Sequence, residues 1–273
     1  MANEPSVQLY TVRDAIADDL AGAIDRVAAI GFTRVEPYAF VEQASAYAAA
    51  LKASGLSAPS GHAAVIDSAN PTEIFEAAVT LGIETVIDPF IPSDRWQTAD
   101  DAARIAERVN ELSVQAKGFG LRFGYHNHQW EFGNKVDGRS IYHLFVDDLA
   151  PEVVLELDTF WSTVGGANTV ELLKELGDRV QFIHVKDGQV SGDIADALPS
   201  SDSALVVPDE LMAAFKLQVP AGSGDVDVAG ILAAAPQALR VVEFDGYAGD
   251  VFEGIAGSFA WLRENDTVAE PAA

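Results

Sequence analysis

Three apolar segments decide the fold of this chain: VVLELDTF (153–160), VQFIHVKD (180–187) and LRVVEFD (239–245). Near its end, each segment carries two polar or charged residues that are separated by one residue. Because side chains alternate between the two faces of a β-strand, both members of a pair point to the same face. The three faces can therefore converge on one point, and the converging pairs are Glu156 with Asp158, His184 with Lys186, and Glu243 with Asp245.

The rest of the chain repeats such segments in alternation with Ala-rich stretches that have helical spacing. This alternation favours a parallel sheet with right-handed crossovers, and eight units can close it into a barrel. We therefore predict an α/β fold, a single (β/α)8 TIM barrel. The predicted strands are 6–12, 33–38, 57–65, 84–90, 121–128, 153–160, 180–187 and 239–245. The predicted helices are 14–30, 41–54, 72–81, 98–118, 139–148, 168–176, 227–235 and 251–264, several with a capping residue such as Ser140 or Asn168.

The barrel domain is predicted to span residues 1–265, with one long insert at 188–226 between the seventh strand and the helix before the eighth. A segment of that length in a compact domain is usually a lid, a binding loop or an interface element. We expect it to lie over the barrel mouth. Residues 266–273 show no packing pattern and are expected to form a flexible tail.

Composition excludes several classes of function. The 17 basic and 42 acidic residues give a net charge of −25, which would repel a nucleic acid backbone. The chain has no cysteine, so any metal would need oxygen and imidazole ligands. No apolar run is long enough to span a membrane, and the first residues lack the pattern of a signal peptide. We expect a cytoplasmic protein without nucleic acid or membrane partners.

Polar or titratable side chains occur near the end of nearly every predicted strand, where a TIM barrel places its active site. One such residue alone is often only a hydrogen-bonded cap for the next loop, whereas the combination indicates a site. Carboxylates with an imidazole suit a divalent ion, with manganese expected first and magnesium, cobalt or zinc as alternatives. Besides the three pairs, the residues are Gln8, Tyr10, Arg13, Glu36, His62, Asp88, His126 and His128.

Six motifs carry a family pattern: SVQLYTVRD (6–14), GFTRVE (31–36), YHNHQWEF (125–132), LDTFW (157–161), HVKD (184–187) and VVEFD (241–245). They resemble the sugar isomerase/epimerase superfamily, which has the xylose isomerase-like barrel. That superfamily also includes inosose dehydratases and the DNA-repair enzyme endonuclease IV. The resemblance therefore says more about the fold than about the substrate.

The resemblance implies a metal site. It assigns three ligands to the sixth, seventh and eighth strands, namely Asp158, His184 and Glu243. Relatives that isomerise or epimerise ketoses commonly have a glutamate on the fifth strand, but here that strand reads Tyr-His-Asn-His (125–128). Either His126 substitutes as the fourth ligand, or Glu156 supplies the missing carboxylate. We favour Glu156 because it keeps the ligand charge, which leaves His126 and His128 free to move protons.

The resemblance further implies a divalent-metal-dependent sugar isomerase or epimerase, which acts on a keto sugar by α-proton abstraction through an enediolate. The alternative is a metal-dependent lyase, dehydratase or hydratase acting on a 3-keto sugar, keto-glycoside or inosose. The His-X-His arrangement on strand five resembles the inosose dehydratase branch at least as much as the epimerase branch. The catalytic candidates are His126, His128, Lys186 and Glu156.

Further residues near the predicted mouth are candidates for contacts with the substrate. They are Glu36, His62, Glu131, Trp161 and Tyr10. Glu131 could hold a substrate hydroxyl or a histidine, and Trp161 could form an apolar wall or simply pack. Lys186 could bind a substrate oxygen or balance the charge of Glu156 or Glu243. The expected partner is a small-molecule carbohydrate, and the barrel is expected to form a homo-dimer or homo-tetramer, as related barrels commonly do.

Two other classes of function have less support. An endonuclease IV-like activity would require a multi-histidine metal set and a surface compatible with DNA, whereas this chain has five histidines and a charge of −25. A non-catalytic sugar-binding or partner-binding barrel would be indicated if the purified protein held no metal.

Overall fold

The structure, a computed structural model, describes residues 4–190 and 215–266. Its main strands are β1 (Ser6–Gln8), β2 (Arg34–Glu36), β3 (Ser60–His62), β4 (Thr85–Asp88), β5 (Arg122–His126), β6 (Val154–Asp158), β7 (Val180–Val185) and β8 (Leu239–Val242). They pair in parallel in the order β2-β1-β8-β7-β6-β5-β4-β3. The chain therefore winds around one sheet in sequence order, as predicted.

Backbone hydrogen bonds join β2 to β3, although these two strands share no full ladder. Val35 N donates to Ser57 O (2.9 Å), and His62 N donates to Pro37 O (2.8 Å). These contacts bring the first and last members of the sheet order together. The prediction of a TIM barrel is confirmed.

Helices follow the strands and cover the outside of the barrel. They are α1 (Arg13–Ile30), α2 (Ala44–Ser54), α3 (Pro71–Leu81), α4 (Ala99–Gly118), α5 (Ile141–Asp148), α6 (Thr169–Leu176), α7 (Val228–Ala234) and α8 (Val251–Asn265). The two predicted caps are confirmed, since Ser140 Oγ accepts from His143 N and Asn168 Oδ1 accepts from Glu171 N. None of the described helices combines the length and the apolar character that a membrane span requires.

The strands are shorter than the predicted apolar runs. β7 ends at Val185 and β8 at Val242, so the charged residues that follow them lie beyond the ladder. Similarly, Tyr10 lies in a 3₁₀ turn, residues 9–12, that follows β1. The last residues of each run leave the sheet because the chain there turns toward the next helix. This places charged side chains at the rim of the barrel.

An apolar cluster fills the lower interior of the barrel. It consists of Ile87, Val154, Phe182, Leu239 and Val241, all buried. In the sequence, Val154 lies two positions before Glu156, Phe182 two before His184, and Val241 two before Glu243. Each apolar residue therefore shares a strand face with the polar one and lies one layer lower in the barrel. The polar side chains therefore lie above the apolar layer, toward the mouth.

The long insert starts and ends with a short antiparallel ladder, in which Asp187–Gly188 pairs with Gln218–Val219. The buried Asp187 carboxylate accepts from the backbone N–H groups of Gly224 (2.9 Å) and Val226 (3.1 Å). Residues 191–214 lie outside the described residues, so a lid over the mouth stays a prediction.

Of the predicted tail, the structure describes only Asp266. Its carboxylate binds the guanidinium of Arg240, which is buried, with Nε at 2.8 Å from Oδ2. Residues 267–273 lie outside the described residues, so the flexible tail stays a prediction for them.

The close approach of β5 and β6 gives a test of the fold. A Cβ added to Gly124 in β5 would lie 2.8 Å from the Val154 carbonyl oxygen, so the strands would have to separate. We expect Gly124→Ala to lower the free energy of unfolding by about 1–3 kcal/mol, measured by urea denaturation. Gly118→Ala, at the end of α4 with nothing within 4 Å of the added Cβ, is the control and should be neutral or slightly stabilising. Equal stability of the two variants would contradict the expected clash.

Candidate active site

A cavity of about 390 Å³ opens where the strands end, which is where TIM barrels carry their active sites. Its polar lining consists of His62, His126, His128, Glu243 and Asp245. Its aromatic lining consists of Tyr10, Tyr38, Phe90, Trp130, Trp161 and Phe215. The cavity thus combines titratable groups from the strand ends with an apolar wall.

Four buried side chains form an upper group whose ligand atoms lie within 4.8 Å of one another: His126, Asp158, His184 and Glu243. His184 Nδ1 lies 2.6 Å from Glu243 Oε2, and His126 Nε2 lies 3.9 Å from Asp158 Oδ2. Two imidazoles with two carboxylates are a donor set that suits zinc, cobalt or manganese. The upper group contains the three ligands that the resemblance implied, together with His126.

A lower group consists of His62, His126, Glu156 and His184. The Glu156 Oε2 atom lies 2.5 Å from His62 Nε2, 3.1 Å from His184 Nε2 and 3.3 Å from His126 Nδ1. Glu156 is two residues before Asp158 on the same face, so it lies one layer deeper in the barrel. Of the two candidates for the fourth ligand, His126 therefore belongs to both groups, whereas Glu156 belongs to the lower one.

Glu36 anchors the lower group and is fully buried beneath the cavity. Its Oε1 atom accepts from Gln8 Nε2 (2.7 Å) and lies 2.8 Å from His184 Nε2, while Oε2 accepts from the Ser60 hydroxyl. Burial, followed by repulsion from Glu156, raises the pKa of Glu36. The structure therefore places Glu36 behind His184, outside the lining of the cavity.

The histidines of the cavity differ in charge because their neighbours differ. Burial lowers the pKa of His126 to about 3 and lowers the pKa of His128 well below its ordinary value. Burial also opposes a charge on His62, but the Glu36 and Glu156 carboxylates outweigh it and raise the pKa of His62. His126 and His128 are therefore neutral at neutral pH, whereas His62 favours the protonated form.

Lys186 lies among three carboxylates at the rim. Its Nζ atom lies 2.9 Å from Asp158 Oδ2, 2.8 Å from Glu243 Oε2 and 2.8 Å from Asp245 Oδ2. Burial disfavours the ammonium, but these carboxylates outweigh it and hold the pKa of Lys186 well above its usual value. Burial raises the pKa of Asp158 to about 6 even though Lys186 opposes the shift. The contacts of Lys186 are those of a charge-balancing residue.

Glu131 lies behind the cavity wall and is fully buried. Its Oε1 atom accepts from the Tyr125 hydroxyl (2.7 Å), and Oε2 accepts from His128 N (3.0 Å). Asp88 has a comparable role at the end of β4, where its carboxylate accepts from Val65 N (2.7 Å). Glu131 thus fixes the loop after β5 and Asp88 the loop after β3, and neither is among the residues that line the cavity.

Aromatic packing fixes the orientation of His128. Its ring stacks on Trp130, with centroids 4.5 Å apart and an angle of 3° between the planes. The indole N–H of Trp130 donates to Ile91 O (3.1 Å), which anchors the stack. Of the other predicted contacts, Trp161 and Tyr10 do line the cavity.

Three aromatic residues of the cavity were not predicted from the sequence: Tyr38, Phe90 and Phe215. Tyr38 lies two residues after Glu36, and Phe90 lies two residues after Asp88. The alternation that identified the charged pairs could have identified these two residues as well. Phe215 lies in the insert, where no pattern indicated it.

The surroundings of Glu131 predict how stability depends on pH. Burial raises its pKa from 4.5 to about 8, so the folded state favours the neutral carboxyl, and stability is lost as the pH rises through this range. Through this group, the free energy of unfolding of the wild type should fall by on the order of a few kcal/mol between about pH 5 and about pH 8. Glu131→Gln should remove this fall, and urea denaturation at the two pH values measures it. Glu107→Gln, at an exposed position of α4, is the control and should keep the wild-type pH dependence. A wild-type pH dependence in Glu131→Gln would contradict the neutral carboxyl.

Solved structures with low sequence identity have a similar fold. A sugar phosphate isomerase/epimerase from Parabacteroides distasonis ATCC 8503 is 22% identical with a TM-score of 0.72, covering 96% of this chain and 94% of that chain. The probable 3-DHS dehydratase AsbF from Bacillus anthracis is 12% identical with a TM-score of 0.69, covering 95% and 98%. The IolI protein, solved with a zinc atom, is 14% identical with a TM-score of 0.65, covering 96% of each chain. At these identities the likeness shows the fold alone.

Comparison with curated proteins finds no match. The family of xylose isomerase-like TIM barrels matches residues 24–249, which is well over half of the sequence. This match agrees with the parallel strand order and with the resemblance of the six motifs. The chain belongs to the xylose isomerase-like TIM barrel family.

Proposed function

We propose that the protein is a divalent-metal-dependent sugar isomerase or epimerase, which abstracts an α-proton from a keto sugar and proceeds through an enediolate. The observation that carries the proposal is the upper group, His126, Asp158, His184 and Glu243. Two of its members, His126 and Glu243, line the same cavity as the neutral His128. The enzyme would be cytoplasmic and a homo-oligomer, with a small carbohydrate as its substrate. The sugar phosphate isomerase/epimerase among the similar structures supports this class.

The upper group is the set of side chains that would hold the metal. Its four ligand atoms lie close enough together for one ion, and burial keeps the His126 imidazole neutral, so that its lone pair is available. When bound, a divalent ion supplies Lewis-acid polarisation of the carbonyl and the adjacent hydroxyl of a keto sugar. His126 is thus our proposed fourth ligand in place of Glu156.

Two buried carboxylates, Glu36 and Glu156, would orient the ligand His184. Glu36 Oε1 and Glu156 Oε2 lie 2.8 and 3.1 Å from His184 Nε2, which leaves Nδ1 toward Glu243. A carboxylate on the second ring nitrogen fixes the orientation of a ligating histidine and strengthens its basicity. Glu156 is therefore proposed as a positioning residue.

His128 is the proposed general base. It is neutral because of burial, it lines the cavity, and its stacking on Trp130 fixes the plane of the ring. Its Nδ1 has no hydrogen-bond partner among the described residues. A neutral imidazole held in one orientation can accept the α-proton and return it to a neighbouring carbon or to the opposite face.

A lyase or dehydratase acting on a 3-keto sugar, keto-glycoside or inosose is the second candidate. It is favoured by His62, whose pKa is raised and which lines the same cavity as the neutral His128. Elimination needs a base for the α-proton and an acid for the departing hydroxyl or glycosidic oxygen, and these two histidines meet that need. The probable dehydratase among the similar structures supports this alternative.

Removing a carboxylate from the upper group tests the metal site. We expect Asp158→Asn and Glu243→Gln to lower bound divalent metal and turnover by at least about tenfold each, because each loses an anionic ligand. Metal is measured by mass spectrometry after loading with Mn²⁺ and dialysis. Glu175→Gln is the control and should bind metal like the wild type. Full metal content in both upper-group variants would exclude the assignment.

His128→Gln separates proton transfer from metal binding. We expect unchanged metal content and a turnover number lower by about 10²–10⁴-fold, because the base is lost while the upper group is intact. His143→Gln, in α5 outside the cavity lining, is the matched control and should keep both properties. An unchanged turnover number in His128→Gln would rule out its role as the base.

Deuterated water distinguishes the two candidate reactions. The metal-loaded protein is incubated with a panel of keto sugars, and the products are analysed by mass spectrometry and NMR. An isomerase or epimerase gives a product of the same formula that carries solvent deuterium at the reacting carbon. A product that lacks water or an aglycone would replace our first candidate with the lyase.

A further inference from the structure

Lys186 lies against the two carboxylates that would ligate the metal. Its ammonium is 2.9 Å from Asp158 Oδ2 and 2.8 Å from Glu243 Oε2, and both carboxylates belong to the upper group. All three side chains are buried. One positive charge of the protein itself therefore compensates both anionic members of the upper group.

The contacts of Lys186 with its carboxylates are not equivalent. Its Nζ atom donates a hydrogen bond to Asp245 Oδ2 at 2.8 Å. In contrast, Asp158 Oδ2 has no hydrogen-bond partner among the described residues, although the ammonium lies near it. A buried charged oxygen without a hydrogen bond is costly. The contact with Asp158 is thus one of charge alone, whereas Asp245 also supplies a hydrogen bond.

Asp245 has other partners that fix it in place. Its Oδ2 atom also accepts from the indole N–H of Trp161 (3.1 Å) and from Gln218 Nε2 (2.7 Å), and its backbone N–H donates to Gln218 Oε1 (2.8 Å). Asp245 lines the cavity but is not a member of the upper group. It can therefore hold the ammonium at the cavity wall when the other two carboxylates bind a different cation.

The backbone of Lys186 is fixed as well. Its N–H donates to Thr159 Oγ1 at 3.0 Å, and its carbonyl oxygen accepts from the same hydroxyl at 2.6 Å. The preceding residue, Val185, is the last residue of β7. A change in the charge contacts of Lys186 therefore involves only its flexible side chain and leaves the strand in place.

Two cations on the same carboxylates repel each other. A divalent ion bound to Asp158 and Glu243 would bring two positive charges next to the ammonium, in a buried region where charges interact strongly. The repulsion is relieved when the ammonium leaves these two carboxylates and keeps its hydrogen bond with Asp245. The charge contacts that the ammonium gives up lower the net affinity of the site for its metal.

We propose that Lys186 competes with the metal for Asp158 and Glu243, and that Asp245 holds the displaced ammonium. The inference rests on the proposed function, because it takes the upper group as the metal site. It assigns roles to two residues outside that group. Lys186 sets the affinity for the metal, and Asp245 is a positioning residue for Lys186.

The Mn²⁺ affinities of two variants and of their combination test this proposal. Lys186→Met should bind Mn²⁺ at least about tenfold more tightly than the wild type, because the competing charge is gone. Asp245→Asn should bind it about three- to tenfold more weakly, because the displaced ammonium loses its partner. The effect of Asp245→Asn should be smaller when Lys186→Met is also present, since no ammonium is left to hold. Electron paramagnetic resonance of the free ion in a Mn²⁺ titration gives the dissociation constants.

Lys52→Met, at an exposed position of α2 outside the cavity lining, is the control for the loss of one positive charge and should leave the Mn²⁺ affinity nearly unchanged. Thermal unfolding is a second measurement. Without Mn²⁺, Lys186→Met should have a lower Tm than the wild type, because three buried carboxylates lose their cation. The same concentration of Mn²⁺ should then raise the Tm of Lys186→Met by more than that of the wild type.

The possible failures are distinguishable. Equal or weaker Mn²⁺ binding by Lys186→Met would overturn the competition and leave the proposed function intact. An effect of Asp245→Asn that is as large with Lys186→Met as without it would overturn the role of Asp245. Absence of Mn²⁺ binding from the wild type and from Lys186→Met alike would overturn the proposed function and this inference with it.

Discussion

The contact of His184 with carboxylates on both ring nitrogens is the constraint on which the site depends. Nδ1 lies 2.6 Å from Glu243 and Nε2 lies 2.8 Å from Glu36, in a part of the barrel that water does not reach. Loss of Glu243 would leave Nδ1 without its carboxylate, which is costly in a protein interior, whereas loss of Glu36 would leave Glu156 Oε2 at 3.1 Å from Nε2. Because Glu36 comes from β2 and Glu243 follows β8, this one imidazole joins strands separated in the sheet order by β1.

The alternation of strands and helices was sufficient to predict the barrel. Each strand contacts the strands next to it in the sequence, and the first strand pairs with the eighth. It was also sufficient to identify Asp158, His184 and Glu243 as neighbours, since a period of two residues fixes the face of a strand. It could not decide between Glu156 and His126. The register places both candidates at one level, since His126 pairs with Glu156, one layer below the pair of Asp158 and His184. They differ in the reach of their side chains, because the His126 ring contributes to both groups and Glu156 only to the lower one.

The direction of side chains beyond the strand ends was less predictable. Glu131 and Asp88 both follow or end a strand, and both were expected to face the pocket, yet their oxygens accept bonds from backbone N–H groups of nearby loops. Whether such a carboxylate faces a cavity or caps a loop depends on the backbone turn that follows. Turn geometry comes from packing around the barrel and has no period in the sequence.

The Asp187 carboxylate has a consequence for how this chain tolerates change. It binds Gly224 and Val226 across the base of the insert, beside the short ladder of Asp187–Gly188 with Gln218–Val219. The insert therefore leaves and re-enters the barrel at nearly the same place. Replacement or extension of the segment between these points leaves the entry to β8 unchanged, because the entropy of closing a longer loop grows only slowly with its length. The segment between these points can therefore be exchanged while the side chains at the strand ends keep their positions.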